Sequence, residues 1–268
     1  MRRLIYDYEK IHYETMTTPT EPIPVFILSF NRPIYLWCCL DSLYRNTRYP
    51  ARFILADNAS TDPLVRSVIE GFERRGMFDR VYMCSDNRPD RLKWMIGQHR
   101  SEIGEYFAFI ESDVMICDSA EGWLPVMLRL MAANPKLYML GSHCVKSDFV
   151  DVAAARSIDP DMPQDQFEFL TKPFSPERME VDVSDELIEP HNPPGRLLLF
   201  RTAALSVTPI QTDWKMYAGL KQAGYESKIS TRVVHRHLTL LNFFDYSEYD
   251  GAQRKRFFDE LDRNQETL

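Results

Sequence analysis

Over the first half of the chain, apolar residues fall in short continuous runs, separated by stripes at helical spacing. Val25 to Ser29 is such a run, as a strand buried on both faces requires. Pro33 suits a first helical turn, and Ile34, Trp37, Cys38 and Leu40 begin a stripe that predicts a helix to about Thr47. The unit then repeats. Arg52 to Ala56 reads as a second strand ending at Asp57, and Asp62-Pro63 as an N-cap with proline at the first helical position. Leu64, Val65, Val68, Ile69 and Phe72 carry the helix, Arg74 and Arg75 favour its negative end, and Gly76 caps it. Val81 to Cys84 is a third strand, Arg91 to about Ser101 a third helix, and Tyr106 to Ile110 a fourth strand.

Beyond this point the pattern thins. Asp118 and Glu121 have the spacing of a capping box that opens a helix to about Asn134, and Leu137 to Leu140 reads as a strand. Residues 142–195 lose periodicity and hold many of the prolines and acidic residues, which marks a long functional or disordered segment. Order returns with a strand at Arg196 to Phe200 and a helix from about Asp213 to Ala223, closed by Gly224. A strand from about Glu226 to Val234 runs into His235-Arg236-His237. Residues 250–264 form a charged amphipathic stretch. This divides the chain into an arm (1–22), a main domain (23–240, with halves 23–118 and 119–240) and a helical tail (241–268).

Strand–helix alternation with short connections predicts an α/β fold with a mostly parallel central sheet and helices on both faces. Ligands of such sheets sit beyond the carboxyl ends of the strands. Those ends are Ser29 to Arg32, Asp57 to Ser60, Ser85 to Arg91 and Glu111 to Asp113, and all four are polar.

Composition narrows the partners. With 268 residues and 44% hydrophobic content, the chain can bury a sizeable core. A net charge of −7 argues against a nucleic-acid partner, while leaving room for a local basic cleft. The five cysteines, an odd number without metal-ligand spacing, predict a reducing compartment. No apolar run is long enough to span a bilayer and the start lacks a signal-peptide core, so the expected location is cytoplasmic, with peripheral membrane contact left open.

The motifs add a family resemblance. Pro24-Val-Phe-Ile-Leu-Ser-Phe-Asn-Arg-Pro33, then Ile54-Leu-Ala-Asp-Asn-Ala-Ser-Thr-Asp62, resembles the opening of family 2 glycosyltransferases and their GT-A relatives. Phe109-Ile-Glu-Ser-Asp-Val114 resembles their metal-binding Asp-X-Asp segment, and Gly195 to Arg201 with Thr212-Asp213-Trp214 the acceptor-side half. Val233-Val-His235 resembles the late strand that brings a histidine to the metal. Two positions depart from the pattern: Glu111 stands where aspartate is usual, and Thr212 precedes Asp213 where an acidic residue is common.

The resemblance implies a GT-A fold and transfer of a sugar from a nucleotide-diphosphate-sugar donor to a saccharide or other hydroxyl acceptor. It implies that Ser29, Phe30, Asn31, Arg32 and Asp57 surround the base and ribose, that Arg88 and Arg91 reach toward the diphosphate, and that Glu111 and Ser112 adjoin the donor. Asp113 and His235 would hold Mn2+ or Mg2+, with His237 the rival because alternation puts it on the same side. Asp213 would take the acceptor's proton, giving inversion at the anomeric carbon. Each residue also has a plainer reading: Asp57 as a turn former, Asp213 as a helix cap, His235 as a structural histidine. Two other functions compete. A sugar-1-phosphate nucleotidyltransferase would need a glycine-rich first loop, which Ser29-Phe-Asn-Arg-Pro33 lacks. A non-catalytic GT-A-like nucleotide-binding module would keep the pocket without the chemistry.

Overall fold

The computed structural model describes residues 21–144, 184–190 and 195–238, with isolated positions between 156 and 167. The expected tail and nearly all of the expected arm lie outside the described residues, as does most of the aperiodic segment.

The strands are β1 (Ile23–Ser29), β2 (Ala51–Asp57), β3 (Phe78–Met83), β4 (Tyr106–Glu111), β5 (Val114–Ile116), β6 (Leu137–Cys144), β7 (Leu187–Ile188), β8 (Leu197–Arg201) and β9 (Glu226–His237). The helices are α1 (Pro33–Asn46), α2 (Pro63–Glu73), α3 (Arg91–Gln98), α4 (Trp123–Ala133) and α5 (Asp213–Gln222). Among the described residues the strands form one sheet in the order β3-β2-β1-β4-β8-β6-β9-β5, with β7 paired to β9. The half with strand–helix alternation, β3-β2-β1-β4, is parallel throughout. Beyond it β8 inserts antiparallel to both β4 and β6, β9 runs parallel to β6, and β5 and β7 are antiparallel to β9.

Alternation along the buried strands divides the core into two layers. In β4, Tyr106, Ala108 and Ile110 pack with Leu36, Leu40, Val65, Ile69 and Leu124 of α1, α2 and α4. Phe107 and Phe109 pack on the other face with Met95 and Ile96 of α3 and Met216 and Leu220 of α5. Helices therefore cover both faces, and β1 and β4 are sealed from water nearly to their carboxyl ends. Within the second layer Phe107 and Phe200 stack at 5.1 Å between centroids, tying β4 to β8.

The local signals at α2 act as read: the Asp62 side chain accepts a hydrogen bond from the Leu64 N–H, with Pro63 behind it, and Gly76 closes the helix at φ 70°. The capping box before α4 does not form. Asp118 is engaged by Arg48 at 2.8 Å, and the helix starts later, at Trp123, after Gly122 at a positive φ of 82°. Two short strands, β5 and β7, lack enough residues to leave a pattern in the sequence.

Phe200 is 2% exposed. Phe200→Ala should cost about 3–5 kcal/mol of unfolding free energy by chemical denaturation, because it leaves a cavity beside Phe107. A loss under about 1 kcal/mol would mean this layer is not close-packed.

Candidate functional site

Parallel pairing brings the polar strand ends together. Ser29 lies opposite Asp57, and Glu111 opposite Leu28. The ladders continue into the loops, with the Asn58 N–H on the Ser29 carbonyl and the Cys84 N–H on the Asp57 carbonyl. The chain leaves β1 through two consecutive left-handed residues, Asn31 (φ 50°) and Arg32 (φ 58°). Such conformations persist where the surroundings fix them. Here the Asn31 N–H donates to Ser60 Oγ, and Asn31 Oδ1 accepts from the Thr61 and Asp62 N–H groups. Arg32 is thereby held at the N-terminus of α1, with its guanidinium toward Asp113.

Asp113 is the centre of the arrangement. It follows β4, in the turn before β5. The β5–β9 register sets Val114 opposite His237 and Ile116 opposite His235. His237 Nε2 lies 3.1 Å from Asp113 Oδ2, and Arg32 Nη1 lies 3.9 Å from the same oxygen. The structure thus pairs Asp113 with His237, the rival, rather than with His235; one rung of antiparallel pairing separates the two. The other carboxylate oxygen, Asp113 Oδ1, is buried and has no hydrogen-bond partner among the described residues. Burial pushes the Asp113 carboxyl up, but the charge and hydrogen bond of His237, with Arg196 and Arg32, outweigh it and hold the group well below the usual carboxylate range.

His235 is buried. Its Nδ1 lies 2.7 Å from Ser142 Oγ, and its Nε2 has no partner among the described residues. Burial, then the Arg196 and His237 charges, keep it well below the ordinary imidazole value, so it is neutral. Among the described residues no three His, Cys, Asp or Glu side chains gather as a closed metal cage. Asp113 Oδ1 and His235 Nε2 are instead two buried polar atoms awaiting partners, and a carboxylate with imidazoles is a suitable donor set for Mn2+ or Mg2+. A site completed by substrate phosphates needs no cage of protein ligands.

Asp213 is the first residue of α5. Thr212 caps the helix by accepting from the Lys215 N–H, so Asp213 is not needed as the cap. Its Oδ1 accepts from the Trp214 N–H at 2.9 Å. Burial raises its pKa, against the lowering effects of that bond and of Arg196. Arg196 went unassigned in the sequence reading. Its charge acts on Asp113, His235 and Asp213 alike, its carbonyl accepts the Glu111 N–H at 2.9 Å, and its φ is 76°. The only sequence signal was its place after Gly195, at the end of the aperiodic segment.

Other expected residues are engaged elsewhere. Both Asp57 oxygens accept from Ser60, from its N–H at 2.9 Å and from its hydroxyl, so the geometry is that of a turn former. Arg88 forms a forked pair with Asp90 at 2.9 and 2.7 Å. Arg91 is buried, donating to Asn58 Oδ1 and to Asp86, with its guanidinium over the Trp94 ring. Asn58, also missed from sequence, uses both ends of its amide to hold Asn87, Arg88 and Arg91. The two arginines thus help to build the loop after β3. Ser29 is buried with its Oγ lacking a partner among the described residues, Phe30 and Ser112 are half-buried, and Glu111 is exposed.

No family model matches the chain, and no curated protein matches it. Solved structures do. It is similar to GalNAc-T7, solved with UDP, GalNAc and Mn2+ (TM-score 0.55, 11% identity, 81% of this chain and 43% of that one). It is similar to the mannosyltransferase PcManGT from Pyrobaculum calidifontis, solved with GDP-Man and Mn2+ (0.52, 17%, 81% and 57%). It is also similar to TarS from S. aureus (0.52, 13%, 90% and 43%). These likenesses show the GT-A fold. The chain spans 43–57% of the length of these solved chains.

Asp213 yields a test of its environment. A carboxyl raised on folding contributes stability that is fully present below its unfolded value, near 3.8, and is lost as pH rises through the folded value. The melting temperature of Asp213→Asn relative to wild type should therefore climb as pH rises from below 3.8 toward neutrality. A difference that is flat or falls with pH would show that Asp213 is not desolvated.

Proposed function

We propose that the chain is a glycosyltransferase that moves a sugar from a nucleotide-diphosphate donor to an acceptor hydroxyl, using a divalent cation and inverting the anomeric centre. The observation that carries this reading is Asp113: a carboxylate at the end of a central strand, with one oxygen buried and unpartnered among the described residues, ringed by His237, Arg32 and Arg196. A diphosphate leaving group needs positive charge around it, and low-dielectric walls strengthen each such contact. The GT-A neighbours solved with UDP or GDP-Man and Mn2+ support the same class of donor and ion.

Asp113, through Oδ1, and His235, through Nε2, would hold Mn2+ or Mg2+, with His237 on the opposite carboxylate oxygen; when bound, the ion supplies Lewis-acid neutralisation of the departing diphosphate. Arg196 adds a fixed charge between the donor side and Asp213. Ser29 to Arg32, on the loop anchored by Asp57 and Ser60, would form the wall for the base and ribose. Asp213 accepts the proton of the acceptor hydroxyl, and its raised pKa makes it a stronger base than an exposed aspartate. One base acting on an incoming hydroxyl favours direct displacement, hence inversion. Trp214, 57% exposed beside it, offers a face for an acceptor ring. The nucleotide-binding half would span 23–118 and the acceptor half 119–240. Among the described residues no helix is long and apolar enough to cross a membrane, and none of the five cysteines is in a disulfide; a cytoplasmic setting belongs to the proposal.

Binding of UDP or GDP, followed calorimetrically, should tighten with Mn2+, reverse with EDTA and lose its metal dependence in Asp113→Ala. Equal affinity with and without the ion in the wild type would sink the metal assignment. Asp213→Asn should keep nucleotide affinity while transfer falls by about 10²–10⁴. Near-normal turnover in that variant, or a retained anomeric configuration, would remove Asp213 as base.

A further inference from the structure

We infer that Arg32 is a stored counter-ion, held on Asp113 in the absence of ligand and handed to the donor's diphosphate when a divalent cation takes that carboxylate. This deepens the nucleotide-sugar reading and rests on it.

The Arg32–Asp113 pair is loose. At 3.9 Å from Nη1 to Oδ2 it exceeds hydrogen-bond length, so charge attraction alone holds it. The same oxygen carries the tighter contact, to His237 Nε2 at 3.1 Å. Both side chains of the Arg32 pair keep some exposure, 31% and 20%, so solvent already weakens the attraction. The opposite oxygen, Oδ1, is buried and without a hydrogen-bond partner among the described residues, which leaves a coordinating lone pair clear of both basic groups. A divalent cation there would cancel the charge that detains Arg32 and repel the guanidinium.

The arginine backbone has little freedom to respond. Its φ of 58° lies in the left-handed region, between the Asn31 clamp on one side and Pro33, the first residue of α1, on the other. Motion is confined to the side chain, which already passes over the Tyr35 ring at 5.5 Å and can slide along it. The guanidinium fork suits phosphate oxygens in its new position, and Arg32 is the N-cap of α1, a helix of 14 residues whose dipole favours an anion at that end. Arg32, at the end of the base-and-ribose wall, thus also reads the diphosphate, and the ion and the nucleotide bind as a coupled pair.

The handover makes two effects of opposite sign in one variant. Mn2+ binding without nucleotide is measured by electron paramagnetic resonance of the free ion, and UDP and GDP binding by calorimetry at saturating Mn2+. Arg32→Gln should bind Mn2+ alone roughly 2–5-fold more tightly, since the competitor is gone. The same variant should bind the nucleoside diphosphates about tenfold more weakly. Arg32→Lys should lie between wild type and Gln in both. A distorted site would weaken both ligands together, so unchanged or weaker Mn2+ binding in Arg32→Gln overturns the counter-ion role. Tighter Mn2+ with unchanged nucleotide affinity overturns the handover to phosphate. Failure of the broader reading looks different: wild type would bind Mn2+ but neither UDP nor GDP, and the handover would fall with it.

Discussion

Asp113 is an acid placed where the fold gives it little water, and such a charge is costly unless other groups face it. The fold supplies them from distant parts of the chain. β9 returns to the sheet antiparallel to β5 and sets His237 beside the carboxylate, while the left-handed exit from β1 turns Arg32 toward it. Arg196, at the entry to β8, acts on the same carboxyl through its charge. The backbone takes part too, since the Leu238 N–H donates to the Asp113 carbonyl at 3.0 Å. Much of the irregular geometry at this end of the sheet, including consecutive positive φ values at Asn31 and Arg32 and another at Arg196, lies in the segments that bring charge to this one residue.

This local field runs against the whole. The chain carries a net charge of −7, yet two arginines and a histidine act on Asp113. Local positive charge of this kind draws in anions and helps to orient them. The basic groups also differ in mobility. Arg91 is buried and immobilised by Asp86 and Asn58, where it stiffens the loop after β3, whereas Arg32 is tied only by a long ion pair. The first kind of arginine builds a wall, and the second can follow a ligand.

Much of this was legible in the sequence, and the parts that were not share a cause. Asp62-Pro63, Gly76 and Gly224 announced their helix ends because cap geometry is set within a few residues. The Asp118–Glu121 box had equally good local chemistry and failed, because Arg48, 70 positions away, took the carboxylate. The four polar strand ends could be found because parallel alternation fixes where strand ends lie. The choice between His235 and His237 could not be made: period two puts both on one side, and the register of β9 on the three-residue β5 decides which one faces Asp113. The pairing of Arg88 with Asp90 and of Arg91 with Asp86 depends on the path of the loop after β3, which no periodicity records. Arg196 and Asn58 gain their roles from contacts across the sheet, which no local pattern records.

The most direct measurement is the position of the ion. Crystals grown with UDP or GDP and Mn2+, with diffraction recorded at the manganese absorption edge, would locate it by anomalous scattering. The account predicts one strong peak against Asp113 Oδ1, with the diphosphate on its far side at the carboxyl ends of β1 and β4. A nucleotide bound away from those strand ends, or an ion bound without Asp113, would contradict it.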